Sequence, residues 1–148
     1  MMLDNEHGWA SIDFIVAFMI ILFTIPGIIA IIEERVDTAN RVQEIAEAKV
    51  LSENIAERIE MVYSGGNGCS ITYKMPPTIA NKPYIVHVNS SGVFIRFNGK
   101  MGSAFISPVK ISNNPRYDYN VFMEANKTYN ISNIKNEFNY DCIIIKQI

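Results

Sequence analysis

The fold of this chain is decided by FIVAFMIILFTIPGIIAII, residues 14–32. These 19 residues carry no charge, and only Thr24 among them has a side chain that forms hydrogen bonds. As a helix they would span roughly 28 Å, close to the ~30 Å hydrocarbon core of a bilayer. A helix in a soluble core would keep a polar face, which this segment lacks. The sequence therefore predicts a helix inserted in the cell membrane.

The residues around this helix do not fit a removable secretory signal. Such a signal has a positive n-region, a shorter apolar stretch and small residues before the cleavage site. Residues 1–8 contain no Lys or Arg, and Ile28 occupies a position that should be small for cleavage after Ala30. We therefore predict that the helix is retained and spans the membrane once.

Pro26 and Gly27 lie within the apolar segment. Proline removes a backbone donor and clashes with the preceding turn, so we expect the helix to kink or unwind locally there. In lipid, neighbouring helices or side chains must then cover the freed carbonyl groups. The presence of Pro26 and Gly27 has two interpretations. Either it reflects the higher frequency of Pro and Gly in membrane helices, or this helix packs against copies of itself.

The segment GWASIDF, residues 8–14, leads directly into the apolar helix. It resembles the processing site of type IV prepilins, especially the class III signal peptides of archaeal pilins, and also the start of TadE-like pseudopilins. In those proteins a short leader ends in Gly, and the mature chain opens with a pattern close to Gln-x-Ser-x-Glu before the hydrophobic helix. Trp9 and Asp13 stand here where the archaeal pattern has Gln and Glu.

The resemblance implies that residues 1–8 are a leader, which a prepilin peptidase removes by cleavage between Gly8 and Trp9. Ser11 and Asp13 would then be the third and fifth residues of the mature chain. In the family the acidic fifth residue pairs with the N-terminal amine of a neighbouring subunit. Ser11, Asp13 and Pro26 are therefore the implied assembly residues.

On this resemblance the protein is a major or minor pilin of an archaeal type IV pilus, a surface filament for cell adhesion or attachment. Its partners would be other copies or other pilins, joined through the N-terminal helix, and its C-terminal domain would be extracellular. The alternative is a monomeric single-pass protein whose extracellular β-rich domain binds a ligand or partner. In that case Trp9 is an interfacial aromatic residue, and the helix dipole favours Ser11 and Asp13 near a helix N-terminus.

The helix is predicted to continue after the membrane segment, over residues 33–63. This stretch has no Pro or Gly and ends at the turn sequence SGGNG, residues 64–68. One helix over residues 9–63 would be on the order of 80 Å long, as in the pilin plan, with its second half against a globular domain. Apolar residues recur at the spacing of one helical face: Ile45, Ala48, Leu51 (or Ser52), Ile55, Ile59 and Val62.

Residues 69–148, here called the β-rich domain, show the alternation and the β-branched or aromatic residues of strands. Turn residues such as Pro76-Pro77 and Asn98-Gly99 separate these segments. We predict a small antiparallel β-sheet that rests on the helix, and thus a type IV pilin-like α+β fold. The predicted strands are residues 71–73, 84–88, 93–97, 104–106, 109–111, 121–123, 129–131 and 142–145.

Two cysteines, Cys69 and Cys142, lie near the two ends of the β-rich domain. In an exported domain they would form a disulfide that closes about 74 residues and contributes a few kcal/mol if unstrained. In a cytosolic domain they would instead be free buried thiols. Because we expect an extracellular domain, we predict the disulfide.

Three sequons, at Asn89, Asn126 and Asn130, fall in the β-rich domain. Asn is frequent in this sequence, so some sequons arise by chance, and the three are candidate N-glycosylation sites. Sugar at these positions would suit the outer surface of a filament.

The charge pattern argues against nucleic-acid binding. The net charge is −2; residues 33–60 carry eight acidic and four basic side chains, and residues 61–148 carry nine basic and four acidic ones. Opposite signs predict attraction between the helix and the β-rich domain, within or between subunits. No run of Lys and Arg with interleaved aromatic residues accompanies them.

Little in the sequence points to catalysis. Apart from His7 in the predicted leader, His87 is the single histidine. Cys69 and His87 would make a nucleophile pair, but no third orienting group accompanies them, and neither cysteine has metal-ligand spacing. The glycine-rich SGGNG sequence lacks the lysine of a phosphate-binding loop. We therefore predict no enzyme activity, no cofactor and no metal site.

Overall fold

A computed structural model describes the backbone of residues 6–114, 120–135 and 139–148, and the side chains of these ranges from residue 12 onward. Residues 1–5 of the predicted leader therefore lie outside the described residues. The chain divides into two compact units, residues 1–41 and residues 42–148. One long helix is followed by eight strands in the described ranges, which confirms the predicted α+β class.

The helix α1 covers Glu6–Ser64 and continues through Pro26. Of the kink or local unwinding predicted at Pro26-Gly27, the unwinding is therefore absent, because a proline removes one backbone donor while the adjacent turns keep theirs. The kink stays a prediction. The helix stops at the predicted glycine-rich turn, where Gly65 N–H donates to the Met61 carbonyl at 2.9 Å. Gly66 and Gly68 then take positive φ angles of 76° and 90°, which glycine adopts without steric cost.

Every predicted strand segment overlaps a strand of the structure. The strands are β1 (Ser70–Lys74), β2 (Ile85–Asn89), β3 (Gly92–Phe97), β4 (Lys100–Phe105), β5 (Lys110–Ser112), β6 (Asn120–Glu124), β7 (Thr128–Lys135) and β8 (Asp141–Gln147). Asn98 and Gly99, the predicted turn, join β3 to β4 with φ angles of 43° and 72°. Positive φ at both positions is the signature of a tight type I′ hairpin.

The strands form two sheets, where the sequence predicted one. The first sheet has the order β1-β7-β8-β5, and the second has the order β4-β3-β2-β6. All pairs are antiparallel except β5 and β8, which run parallel. The difference arises because the chain leaves the second sheet to form β5 and returns to it with β6. The alternation of apolar and polar residues within a strand does not predict which sheet the strand joins.

Helix α1 and both sheets contribute to one buried hydrophobic core within residues 42–148. The predicted helix face is confirmed at all of its positions except Ile45, which is 44% exposed. Ala48 lies against Gly102 of β4. The buried helix residues are Ala48, Leu51, Ser52, Ile55, Ala56, Ile59 and Val62.

Candidate functional site

The apolar surface of α1 is the most unusual feature of the first unit. Fifteen large apolar side chains between residues 12 and 32 are each 50% to 78% exposed, on every side of the helix. In the described part of the chain, one helix is long and apolar enough to cross a membrane. Such a surface is compatible with lipid or with neighbouring apolar helices around it, in agreement with the predicted anchor.

Asp13 lies at the start of this apolar surface. Its carboxylate is exposed, and none of the three ion pairs among the described residues includes it. The backbone of Gly8, Trp9 and Ser11 belongs to α1, whereas their side chains lie outside the described set. In an apolar environment an unpaired carboxylate costs several kcal/mol, so Asp13 would need a cationic partner there.

Thr24 and Pro26 are the polar features in the middle of the apolar surface. The Thr24 hydroxyl donates to the Ile21 carbonyl at 3.1 Å. Pro26 has no N–H, so the Leu22 carbonyl loses its usual donor four residues ahead. The Thr24 hydroxyl donates to the Ile21 carbonyl, so it does not supply the donor that the Leu22 carbonyl lacks.

A cluster of charges connects α1 to the β-rich domain within the second unit. The Glu44 carboxylate accepts from the ammonium groups of Lys82 and Lys100, both at 2.5 Å. Glu47 accepts the Ala80 backbone N–H at 2.9 Å. Hydrogen bonds from Lys100 and Lys82 lower the pKa of Glu44. The predicted attraction between an acidic helix and a basic domain is therefore realised within one chain.

The predicted disulfide between Cys69 and Cys142 is not formed; both residues are free thiols. Strand β7 separates them, since the Cys69 carbonyl accepts from Asn133 of β7, while Cys142 pairs with Ile134 on the other side of that strand. Two strand spacings amount to roughly 9–10 Å, beyond the ~7 Å Cα separation that a disulfide can bridge. Burial raises the pKa of the Cys142 thiol.

The three sequons have different environments. Asn126 is exposed in the turn between β6 and β7, with a φ angle of 60°. The Asn89 side-chain oxygen accepts the backbone N–H groups of Ser91 and Gly92 at 2.8 and 3.1 Å. Asn130 is half-buried in β7, where it pairs with strands on both sides. Asn126 is therefore the most accessible of the three side chains.

The second sheet carries an apolar outer face that the sequence analysis did not identify. Phe105 is 80% exposed and Phe122 65%, and a groove of ≈ 560 Å³ crosses part of this face. Large apolar residues at adjacent positions, such as Val121 and Phe122 of β6, place apolar side chains on both faces of these strands, and this was the signal available in the sequence. We define the outer face by Ile85, His87, Phe94, Met101, Phe105 and Phe122, together with the charged residues Arg96 and Glu124 that lie in the same rows.

His87 has an aromatic environment on this outer face. Its ring stacks on Phe122 at 5.0 Å between centroids and lies 6.3 Å from Phe94. Cys69, its predicted nucleophile partner, precedes β1 of the other sheet. Among the described residues no group of three or more His, Cys, Asp and Glu side chains is placed to hold a metal ion.

Comparisons with protein-family models, with curated proteins and with solved structures find no match to this chain. The exposed apolar surface of α1 and the carboxylate at its start are therefore the features of the chain that point to a function.

Proposed function

We propose that this chain is a structural subunit of a surface filament of the archaeal type IV pilus kind. A prepilin peptidase would cleave it between Gly8 and Trp9, and the apolar helix would pass from the membrane into the filament core. The β-rich domain would then lie on the outside of the filament, where adhesion or attachment takes place. The subunit would contact its neighbours through α1, as a homo-oligomer or together with other pilins.

The exposed apolar surface of α1 is the observation that carries this proposal. Burying the remaining half of each large apolar side chain is worth roughly 1 kcal/mol. For fifteen such side chains the total is on the order of 15 kcal/mol, comparable to the whole stability of a typical domain. The helix therefore strongly favours lipid or a bundle of apolar helices over water.

Asp13 supplies the second argument, because it links processing to assembly. A carboxylate at the edge of an apolar bundle requires a cation, and the described residues of its own chain provide none in an ion pair with it. Cleavage before Trp9 would create an α-amine, which is a cation at neutral pH. The amine of one subunit and the Asp13 carboxylate of its neighbour would form the pair.

The mature N-terminus tests this proposal and separates it from the single-pass anchor with a binding domain. The intact mass of protein extracted from the membrane should match a chain that starts at Trp9, and Gly8→Val should block processing. An Ala10→Val variant, which alters the same segment beyond the cleavage site, is the control. Protein that retains the residues before Trp9 would contradict the proposal and favour the anchored domain.

A further inference from the structure

The outer face of the second sheet is arranged in rows across its four strands, as the register shows. One row reads Met101, Arg96, Ile85 and Glu124 on β4, β3, β2 and β6. The next row reads Ser103, Phe94, His87 and Phe122 on the same strands. In both rows β2 therefore lies midway between a residue of β3 and a residue of β6.

The flanking residues of β2 are complementary to each other. Arg96 and Glu124, both exposed, carry opposite charges on the two sides of Ile85. Phe94 and Phe122 are aromatic residues on the two sides of His87. A rotation of 180° about an axis parallel to β2 would exchange the positions of β3 and β6, because strands are evenly spaced at ~4.8 Å.

We infer that the outer face binds the outer face of a second copy of this chain, about a two-fold axis that runs along β2. In that arrangement Arg96 of each copy lies opposite Glu124 of the other, and Phe94 lies opposite Phe122. Every contact then occurs twice, as an isologous interface requires. Charge complementarity of this kind fixes register and excludes mismatched partners.

The size of the face indicates a weak contact. With the axis on β2, three strands of each copy (β3, β2 and β6) face each other, and the rows between residues 85 and 89 make this contact roughly 14 Å by 15 Å, on the order of 200 Å². Stable interfaces bury about 800 Å² per partner. The pair would therefore form between copies that a membrane anchor already concentrates. This inference requires the anchor but not the filament.

Cysteine cross-linking of the full chain in phosphatidylcholine vesicles tests the inference. Ile85 lies on the proposed axis, but facing sheets pack ~10 Å apart, which is too far for a direct disulfide. Ile85→Cys should therefore form a covalent dimer with a short bismaleimide cross-linker, which bridges the two thiols across this gap. Phe105 lies on β4, two strands from the axis, so two copies of Phe105→Cys would be ~19 Å apart and should not cross-link. The wild-type chain, with its own two cysteines, gives the background.

Charge reversal provides the decisive comparison in the Ile85→Cys chain. Arg96→Glu or Glu124→Arg alone should reduce the cross-linked dimer about tenfold, because each change creates two like-charge pairs. The double reversal should restore it, whereas Lys127→Glu, in the exposed turn outside the face, should have no effect. Equal cross-linking at positions 85 and 105, or no rescue by the double reversal, would overturn the inference.

The result is separable from that of the filament proposal. Filaments formed by a chain that does not cross-link at position 85 would reject this contact and keep the pilin function. Cross-linking at position 85 in an uncleaved chain without filaments would keep the contact and reject the pilin function.

Discussion

Gly102 of β4 lies so close to Ala48 of α1 that a Cβ atom on the glycine would be 2.8 Å from the Ala48 carbonyl carbon and 2.9 Å from its Cβ. Both residues are buried. The absence of a side chain at position 102 therefore sets how closely the helix approaches the second sheet.

Adding a methyl group at this contact should destabilise the second unit. Gly102→Ala would force the helix backbone away from β4, and overpacking of this kind costs about 1–3 kcal/mol. The free energy of unfolding can be measured by urea titration of the full chain in detergent, followed by the near-ultraviolet signal of the β-rich domain. Ser103→Ala, the next residue on the opposite face of β4, is the control and should change little. A Gly102→Ala chain as stable as the wild type would show that the helix does not pack this closely.

The ion pairs of Glu44 should make stability depend on pH in the acidic range. Because hydrogen bonds from Lys100 and Lys82 lower the Glu44 pKa below its usual value, the folded state binds the proton less readily than the unfolded state. The contribution is then complete above the unfolded pKa and is lost as pH falls through the folded pKa. Melting temperatures of the full chain between pH 7 and pH 3 should fall more for the wild type than for Glu44→Gln.

Glu53→Gln is the matched control for this measurement. Glu53 also pairs with a lysine, but at 3.8 Å and with both side chains more than half exposed. Its variant should keep the pH dependence of the wild type. Identical pH profiles for the wild type and Glu44→Gln would show that Glu44 does not hold the helix to the β-rich domain.

The two thiols should be free and should differ in reactivity. Cys69 is partly exposed, whereas Cys142 is buried and burial raises its pKa. In protein purified without reductant, maleimide should modify Cys69 faster, and both cysteines should react after unfolding. Cys69→Ser is the control that identifies the faster site. A linked pair of peptides in non-reducing mass spectrometry would contradict the strand order β1-β7-β8.

Local pattern was sufficient to predict most of the elements. The spacing of Ala48, Ile55 and Ile59 identified the buried helix face, and Asn98-Gly99 identified a hairpin turn, because both depend on residues close in sequence. The partition into two sheets could not be predicted in this way. It depends on which strands become neighbours, and the three residues of β5 carry no signal that they pair with β8 rather than β4.

The candidate site shows the same division. The apolar run of residues 14–32 and the carboxylate of Asp13 could be identified directly from the sequence. The separation of Cys69 from Cys142 depends on β7 lying between them, which no cysteine spacing reveals. The outer face was missed because its residues come from four strands, and only the register places Arg96 and Glu124 on the two sides of Ile85.

Asp13 gives the most direct measurement of the central claim, that α1 assembles into a filament core. Cells that express each variant would be sheared, and the surface fraction examined by electron microscopy, with immunoblots to follow processing. Asp13→Ala should remain cleaved and membrane-inserted but should be lost from filaments, since the neighbour's amine would have no partner in the apolar core. Asp13→Glu should assemble at least as well as the wild type, and Asp37→Ala, an exposed acid further along α1, should assemble normally. Normal incorporation of Asp13→Ala, or a wild-type chain that forms no filament and no cross-linked assembly, would contradict the claim.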